Sequence, residues 1–257
     1  MSTPTFLALP ARTDKPRQHG ITHVLDKGLP IDQAAGLLQV AGPYLDVWKL
    51  GWGTAYLDPG LPAKLAMLTG HGVLACLGGT LLEVAFSQGQ VAPYLDWAQQ
   101  VGVDCVEVSC GAVPMTRAQK DDLIDRAARR FVVLAEVGAK DPQREPTPAQ
   151  WAIDAAADLA AGATWVVTEG RESGTVGLYD STGMVREEVL EAVTGAVGLD
   201  CLVFEAPRKD QQALLIRRFG ANVNLANVAP ADALGVEALR LGLRADTLDL
   251  ATVGERA

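Results

Sequence analysis

Short runs of β-branched and aliphatic residues recur along the chain, and most are followed by a stretch with helical spacing. Eight of these runs predict strands: THVLDKG (22–28), LDVWKLGWG (45–53), GVLACLGGT (72–80), DCVEVSCG (104–111), FVVLAEVG (131–138), TWVVTEGRE (164–172), CLVFEAP (201–207) and NVNLANV (222–228). Between them, apolar positions three and four apart predict helices over Ile31–Val40, Pro93–Val101, Thr116–Arg130, Glu187–Val197, Lys209–Phe219 and Leu234–Arg240. A further helix opens at Thr147, because Pro148 and Gln150 suit a first turn. The segment from Asp141 to Pro148 reads as a long loop after the fifth strand.

Strand and helix alternating through eight units predict a parallel sheet with helices outside it, an α/β fold of the (β/α)8 TIM-barrel kind. An open doubly wound sheet that binds a nucleotide should carry G-x-G-x-x-G after its first strand. The first strand here runs instead into Asp26-Lys27-Gly28-Leu29-Pro30. A length of 257 residues suits one barrel. Residues 1–257 are therefore expected to form a single domain, with 1–20 as an N-terminal extension.

Composition narrows the partners. Hydrophobic residues make up 49% of the chain, which excludes a disordered polymer. A net charge of -9 disfavours nucleic acid and anionic membranes. Cys76, Cys105, Cys110 and Cys201 form no C-x-x-C pair, and His19, His23 and His71 have no ligand spacing. The segment MSTPTFLALPARTDKPRQHG has no basic region followed by an apolar stretch, and no run reaches the roughly 20 apolar residues of a membrane span. A cytoplasmic location is expected, and a homo-oligomer is left open.

The strand ends carry the candidate chemistry, because a barrel's reactive face lies at the C-terminal ends of its strands. These ends hold Asp26 and Lys27, then Lys49, then Gly78-Gly79-Thr80, then Glu107 and Ser109. Glu136, Glu169 with Arg171, Glu205, and Asn224 with Asn227 follow on the later strands, and Lys140 lies just past the fifth. So many carboxylates at one rim repel unless lysine, arginine or a divalent cation compensates, and oxygen donors from separate strands suit Mg2+. For any one of these residues the plainer reading is a salt bridge that holds the rim together. For the glycines it is tight turn geometry.

These strand ends resemble those of the phosphosulfolactate synthases. The matching stretches are VLDKGLP (24–30), VWKLGWGT (47–54), GGTLLEVAFSQG (78–89), VEVS (106–109), EVGAK (136–140), EGRESG (169–174), VFEAPRKDQQ (203–212), VNLANV (223–228) and LRLGLRADT (239–247). The resemblance implies a (β/α)8 barrel that adds sulfite to C3 of phosphoenolpyruvate with Mg2+, giving (R)-2-phospho-3-sulfolactate. It implies small anionic substrates, a general acid at Lys140, and a further catalytic role for Glu136. Metal ligands are sought among Glu107, Glu136, Glu169, Glu205 and Asp26. Lys27, Lys49, Arg171, Gly79, Thr80, Asn224 and Asn227 are expected to hold the anions.

The chain departs from the family at Cys110, at Leu77 and at Ala139-Lys140, where a lysine pair is usual. The change at Cys110 keeps two alternatives open. One is the same scaffold adding a different nucleophile to phosphoenolpyruvate or a related acceptor. The other is a non-catalytic, stress-related barrel protein.

Overall fold

The computed structural model describes residues 6–139 and 145–252. Lys140, and the part of the long predicted loop that spans 141–144, lie outside the described residues. Eight parallel strands close into a barrel in sequence order. They are β1 (Thr22–Asp26), β2 (Val47–Leu50), β3 (Leu74–Leu77), β4 (Cys105–Val108), β5 (Val132–Val137), β6 (Trp165–Thr168), β7 (Leu202–Glu205) and β8 (Leu225–Val228). The helices around it are α1 (Ile31–Ala41), α2 (Thr54–Leu57), α3 (Leu61–Gly70), α4 (Gly79–Ser87), α5 (Val91–Val101) and α6 (Arg117–Ala128). They continue with α7 (Pro148–Ala160), α8 (Glu187–Val197), α9 (Lys209–Phe219), α10 (Ala233–Arg240) and α11 (Leu248–Thr252).

The helix starts follow local chemistry. Thr116 caps α6 by accepting from the Gln119 amide at 3.3 Å, and Gln119 Oε1 accepts from the Thr116 amide at 2.8 Å in return. Thr147 caps α7 in the same way, through the Gln150 amide at 3.2 Å, with Pro148 in the first turn. Such a cap contributes about 1 kcal/mol. The sequence reading passed over α3 and α4. Helix α4 begins at the second glycine of a pair that reads as the end of a strand, so its N-terminus carries no ordinary start signal.

Side-chain alternation sorts the strands into two faces. One face of each strand packs on the helices. Val24, Trp48, Ala75 and Val106 do so in one half of the molecule, and Val166, Leu202, Phe204 and Leu225 in the other. The opposite face fills the barrel with Ile21, Val47, Cys76, Cys105, Leu134, Trp165, Val167, Val203 and Ala226. Fully burying a side chain of Val or Leu size stabilises by roughly 1.5–3 kcal/mol, so this plug makes the closed end a packed core rather than a pore.

The described part of the predicted extension, residues 6–20, packs at the N-terminal end of the barrel, and residues 1–5 lie outside the described residues. Arg12 donates to the Gly20 carbonyl at 2.9 Å and pairs with Glu237 at 2.9 Å. Arg240 lies fully buried beside it and donates to the carbonyls of Val223 at 2.6 Å and Ile21 at 3.0 Å. The opposite end is left open.

Candidate active site

Two residues beyond the apolar plug, on the same face of each strand, the side chains become charged. Val47 is followed by Lys49, Cys105 by Glu107, Leu134 by Glu136, Val167 by Glu169 and Val203 by Glu205. All five charged side chains are buried, and all line one cavity of about 300 Å3 at the C-terminal mouth. Thus a single period of two converts the barrel filling into an ionic layer.

Lys49 is the centre of that layer. Its Nζ lies 2.7 Å from Glu107 and 3.5 Å from Glu205. Burial works to lower the Lys49 pKa, but Glu107, Glu205 and Glu136 outweigh it and hold the amine well above its usual range. Burial works to raise Glu107, and Lys49 together with the Gly79 amide brings it below the usual carboxylate range. Glu205 has the opposite fate. Burial, and then repulsion from Glu136 and Glu107, push it up to about 7 despite Lys49. The layer therefore carries more negative charge than its lysine can neutralise.

Backbone amides complete the mouth. The Gly79 amide, at the start of α4, donates to Glu107 Oε1 at 2.9 Å. A Cβ at Gly79 would overlap Ser109 Oγ and stand 2.8 Å from Ser109 Cβ, so only glycine fits between α4 and β4. The Gly170 amide donates to Glu205 Oε2 at 2.8 Å, and the Arg171 amide to Glu169 Oε1 at 2.8 Å. Arg171 itself is exposed at the lip with φ +53°, and Trp52 faces the same cavity with φ +54°. Bulky residues held in the left-handed region store about 1–3 kcal/mol of strain, and such strain clusters at functional sites.

Of the residues singled out from sequence, the cavity brings together Lys49, Gly79, Thr80, Glu107, Glu136, Glu169, Arg171, Glu205 and Asn227. Lys27 is placed just beside it. Its amine sits 4.7 Å from the centre of the Trp52 ring and borders an adjoining chamber. Two assignments are corrected. Asp26 shares its face of β1 with Val24 and points toward the helices, not into the barrel. Its oxygens accept from the amides of Gly28 and Leu29 at 2.8 and 2.6 Å, from Trp48 Nε1 at 2.9 Å and from Lys64 at 3.2 Å. With those bonds it organises the loop after β1 and is not placed to hold a metal in the cavity. Asn224 precedes β8 and lies at the closed end, accepting from the Ile21 amide at 3.0 Å and donating to the Leu202 carbonyl at 2.8 Å. It is remote from any anion at the mouth.

What was not read from sequence is how Asn227 is turned inward, and what His23, Glu83 and Lys120 contribute. Asn227 enters the cavity because β8 is irregular against β1: Thr22 pairs with Leu225 but Val24 with Val228. One extra residue is accommodated, which lets Asn227 face the same way as Ala226. Its backbone has φ +55° and its amide donates to His23 Nδ1 at 3.3 Å. Burial, then Lys49, push His23 down to about 3, so the imidazole is neutral. Glu83 accepts from Ser109 and from the amides of Ala112 and Val113, both at 2.6 Å, and so shapes the wall after β4. Lys120 donates to the Glu136 carbonyl at 2.7 Å and to Asp158 at 2.6 Å, bracing β5 from outside. Cys110 lies outside the main cavity, in a small pocket that shares Glu136 with it. Burial pushes its thiol up, which works against a stored thiolate.

The whole chain can be set against known proteins on this geometry. Residues 10–246 match the family model described as (2R)-phospho-3-sulfolactate synthase (ComA). The chain belongs to the phosphosulfolactate synthase family. It is 38% identical to the phosphosulfolactate synthase of Bacillus subtilis (strain 168), over 95% of this chain and 98% of that one. It is 39% identical to that of Methanothermobacter thermautotrophicus, over 93% and 95%. Among solved structures, 3-hexulose-6-phosphate synthase from Salmonella typhimurium superposes with a TM-score of 0.55 at 13% identity, covering 90% of this chain and 94% of that one. The 3-keto-L-gulonate-6-phosphate decarboxylase of Vibrio cholerae does so with a TM-score of 0.55 at 13% identity, over 91% and 98%. These distant structures share the barrel alone.

As a member of the phosphosulfolactate synthase family the protein is an enzyme, and its barrel mouth is ionic. Among the described residues, no helix is long and apolar enough to cross a membrane. Among the same residues, no three His, Cys, Asp or Glu side chains converge closely enough to cage a metal ion. The donor set nonetheless fits Mg2+. This cation takes hard oxygen ligands and commonly binds through one or two carboxylates, completing its shell with water and substrate oxygens. The surplus negative charge that raises Glu205 is what such a cation would relieve.

Proposed function

We propose that the protein catalyses the Mg2+-dependent addition of sulfite to phosphoenolpyruvate, forming (R)-2-phospho-3-sulfolactate. The single observation that supports this reading best is the buried layer of Glu107, Glu136, Glu169 and Glu205 around Lys49, facing one cavity with Arg171 at its lip. An uncharged pocket would bind a trianionic enol phosphate poorly. This one offers paired cations and, through its excess carboxylates, a place for a divalent ion.

Glu136 and Glu169, on neighbouring strands and facing the same cavity, are the side chains that would hold Mg2+. Bound there, the cation supplies stabilisation of the negative charge that develops on the substrate carboxylate. Arg171 has a planar fork suited to phosphate or sulfite oxygens, and Lys27 reaches the mouth as a second charge. The sulfur lone pair of sulfite forms the bond to C3. The electron pair of the C2–C3 double bond moves toward the carboxylate, and a proton is delivered to C2. Lys140, which follows β5, is the acid assigned to that proton by resemblance to the family.

Incubating the purified protein with phosphoenolpyruvate, sulfite and Mg2+ should yield phosphosulfolactate, read by anion-exchange chromatography and mass spectrometry. Absence of product at all Mg2+ concentrations, from folded protein, would reject the reading.

A further inference from the structure

The reaction cavity opens sideways into a second chamber of about 400 Å3 between the loops that follow β1, β7 and β8. Leu25, Glu172 and Asn227 border both spaces. The remaining lining is of another kind. Leu29, Pro30, Pro207, Ala229 and Pro230 make it largely apolar, and Lys27 contributes one cation. Neither phosphoenolpyruvate nor sulfite has a hydrocarbon body that would use such walls.

Two features indicate what would. Prolines have no amide N–H, so Pro30, Pro207 and Pro230 remove donors that a backbone phosphate cradle needs. The chamber is therefore ill-suited to a second phosphate. Asn227 borders the chamber but is only 6% exposed, whereas Lys27 is exposed there and is the one basic side chain of its lining.

We propose that this chamber is a subsite for a small organic monoanion with a hydrocarbon chain. Its charged group is set against Lys27 and its chain against the proline, leucine and alanine walls. Glu172, on the shared wall, disfavours the opposite orientation. This inference shares Lys27 with the anion binding proposed above and otherwise uses side chains given no part in that reaction.

Straight-chain carboxylates from acetate to hexanoate, titrated calorimetrically into the substrate-free full chain, test it. Each added methylene should tighten binding about fourfold until the chamber is filled. Ala229→Leu fills the chamber from its floor and should flatten that series. Lys27→Met should weaken every carboxylate by a similar factor and leave the dependence on chain length intact. Thermal melts establish that both variants are folded. Affinity independent of chain length in the wild type would overturn the proposal, as would an unchanged series in folded Ala229→Leu. Because binding is read without turnover, failure here is distinct from failure of the sulfite-addition assay.

Discussion

The backbone amide of Asn227 donates to Nδ1 of His23 at 3.3 Å, tying the irregular stretch of β8 to an imidazole buried inside β1. The bond joins residues 204 positions apart. It requires the neutral ring with Nδ1 as acceptor, and burial together with Lys49 enforces that form. His23 thus holds in place the residue that borders both the ionic cavity and the chamber beside it.

His23→Ala should leave the Asn227 amide without its acceptor and lower stability by about 1–3 kcal/mol in urea unfolding at neutral pH. It should also change the acid limb. The folded pKa lies near 3 and the ordinary value near 6.5, so the unfolded chain binds the proton first. Stability from this group is fully present above about 6.5 and falls by about 1.4 kcal/mol per pH unit as pH drops toward 3. Unfolding free energies measured from pH 7 to 4 should therefore slope less steeply in the variant. Equal slopes would count against a buried neutral His23.

Lys49→Met leaves Glu107 and Glu205 facing each other without their shared cation. Breaking a buried pair by removing one partner typically costs about 3–5 kcal/mol, less whatever is recovered by protonating Glu205, which already titrates near 7. Thermal melting should fall more at pH 8 than at pH 6, because the uncompensated carboxylates are both charged only at the higher pH. Synthase activity of the folded variant should fall about 100-fold, a rise in the barrier of roughly 2.7 kcal/mol.

Asp26→Asn and Glu136→Gln separate a loop-organising carboxylate from one facing the cavity. Asp26→Asn weakens the bonds to Lys64 and the Gly28 and Leu29 amides and should cost stability by about 1–3 kcal/mol with an unchanged Mg2+ activation curve. Glu136→Gln should leave the melting temperature nearly intact and move the Mg2+ activation midpoint upward by tenfold or more. A shifted midpoint in Asp26→Asn would reverse the placement argued for that residue.

Gly79→Ala drives a methyl group into Ser109 and disturbs the amide that steadies Glu107. Overpacking of this kind costs about 1–3 kcal/mol. The combined variant Gly79→Ala with Ser109→Gly should recover part of that loss in chemical denaturation, because the clash is with the serine side chain.

The barrel was legible in the chain itself, and so were most of the residues that line its ionic mouth. Strand alternation is local: once Val47, Cys105, Leu134, Val167 and Val203 face inward, the residue two positions on must face inward too. Lys49, Glu107, Glu136, Glu169 and Glu205 were singled out by their place at strand ends, and this alternation is what turns them inward together. Asp26 and Asn224 were misjudged because strand-end position does not reveal parity or which end of the barrel a residue occupies. Asp26 is on the outward face of β1, and Asn224 stands ahead of a strand that starts later than its apolar run suggests. Asn227 reaches the cavity only through an extra residue in β8, and the His23 acceptor comes from a strand at the other end of the sequence. Neighbouring residues can dictate a period of two. They carry no information on the register between β8 and β1, which arises only when the sheet closes and its first and last strands must share hydrogen bonds.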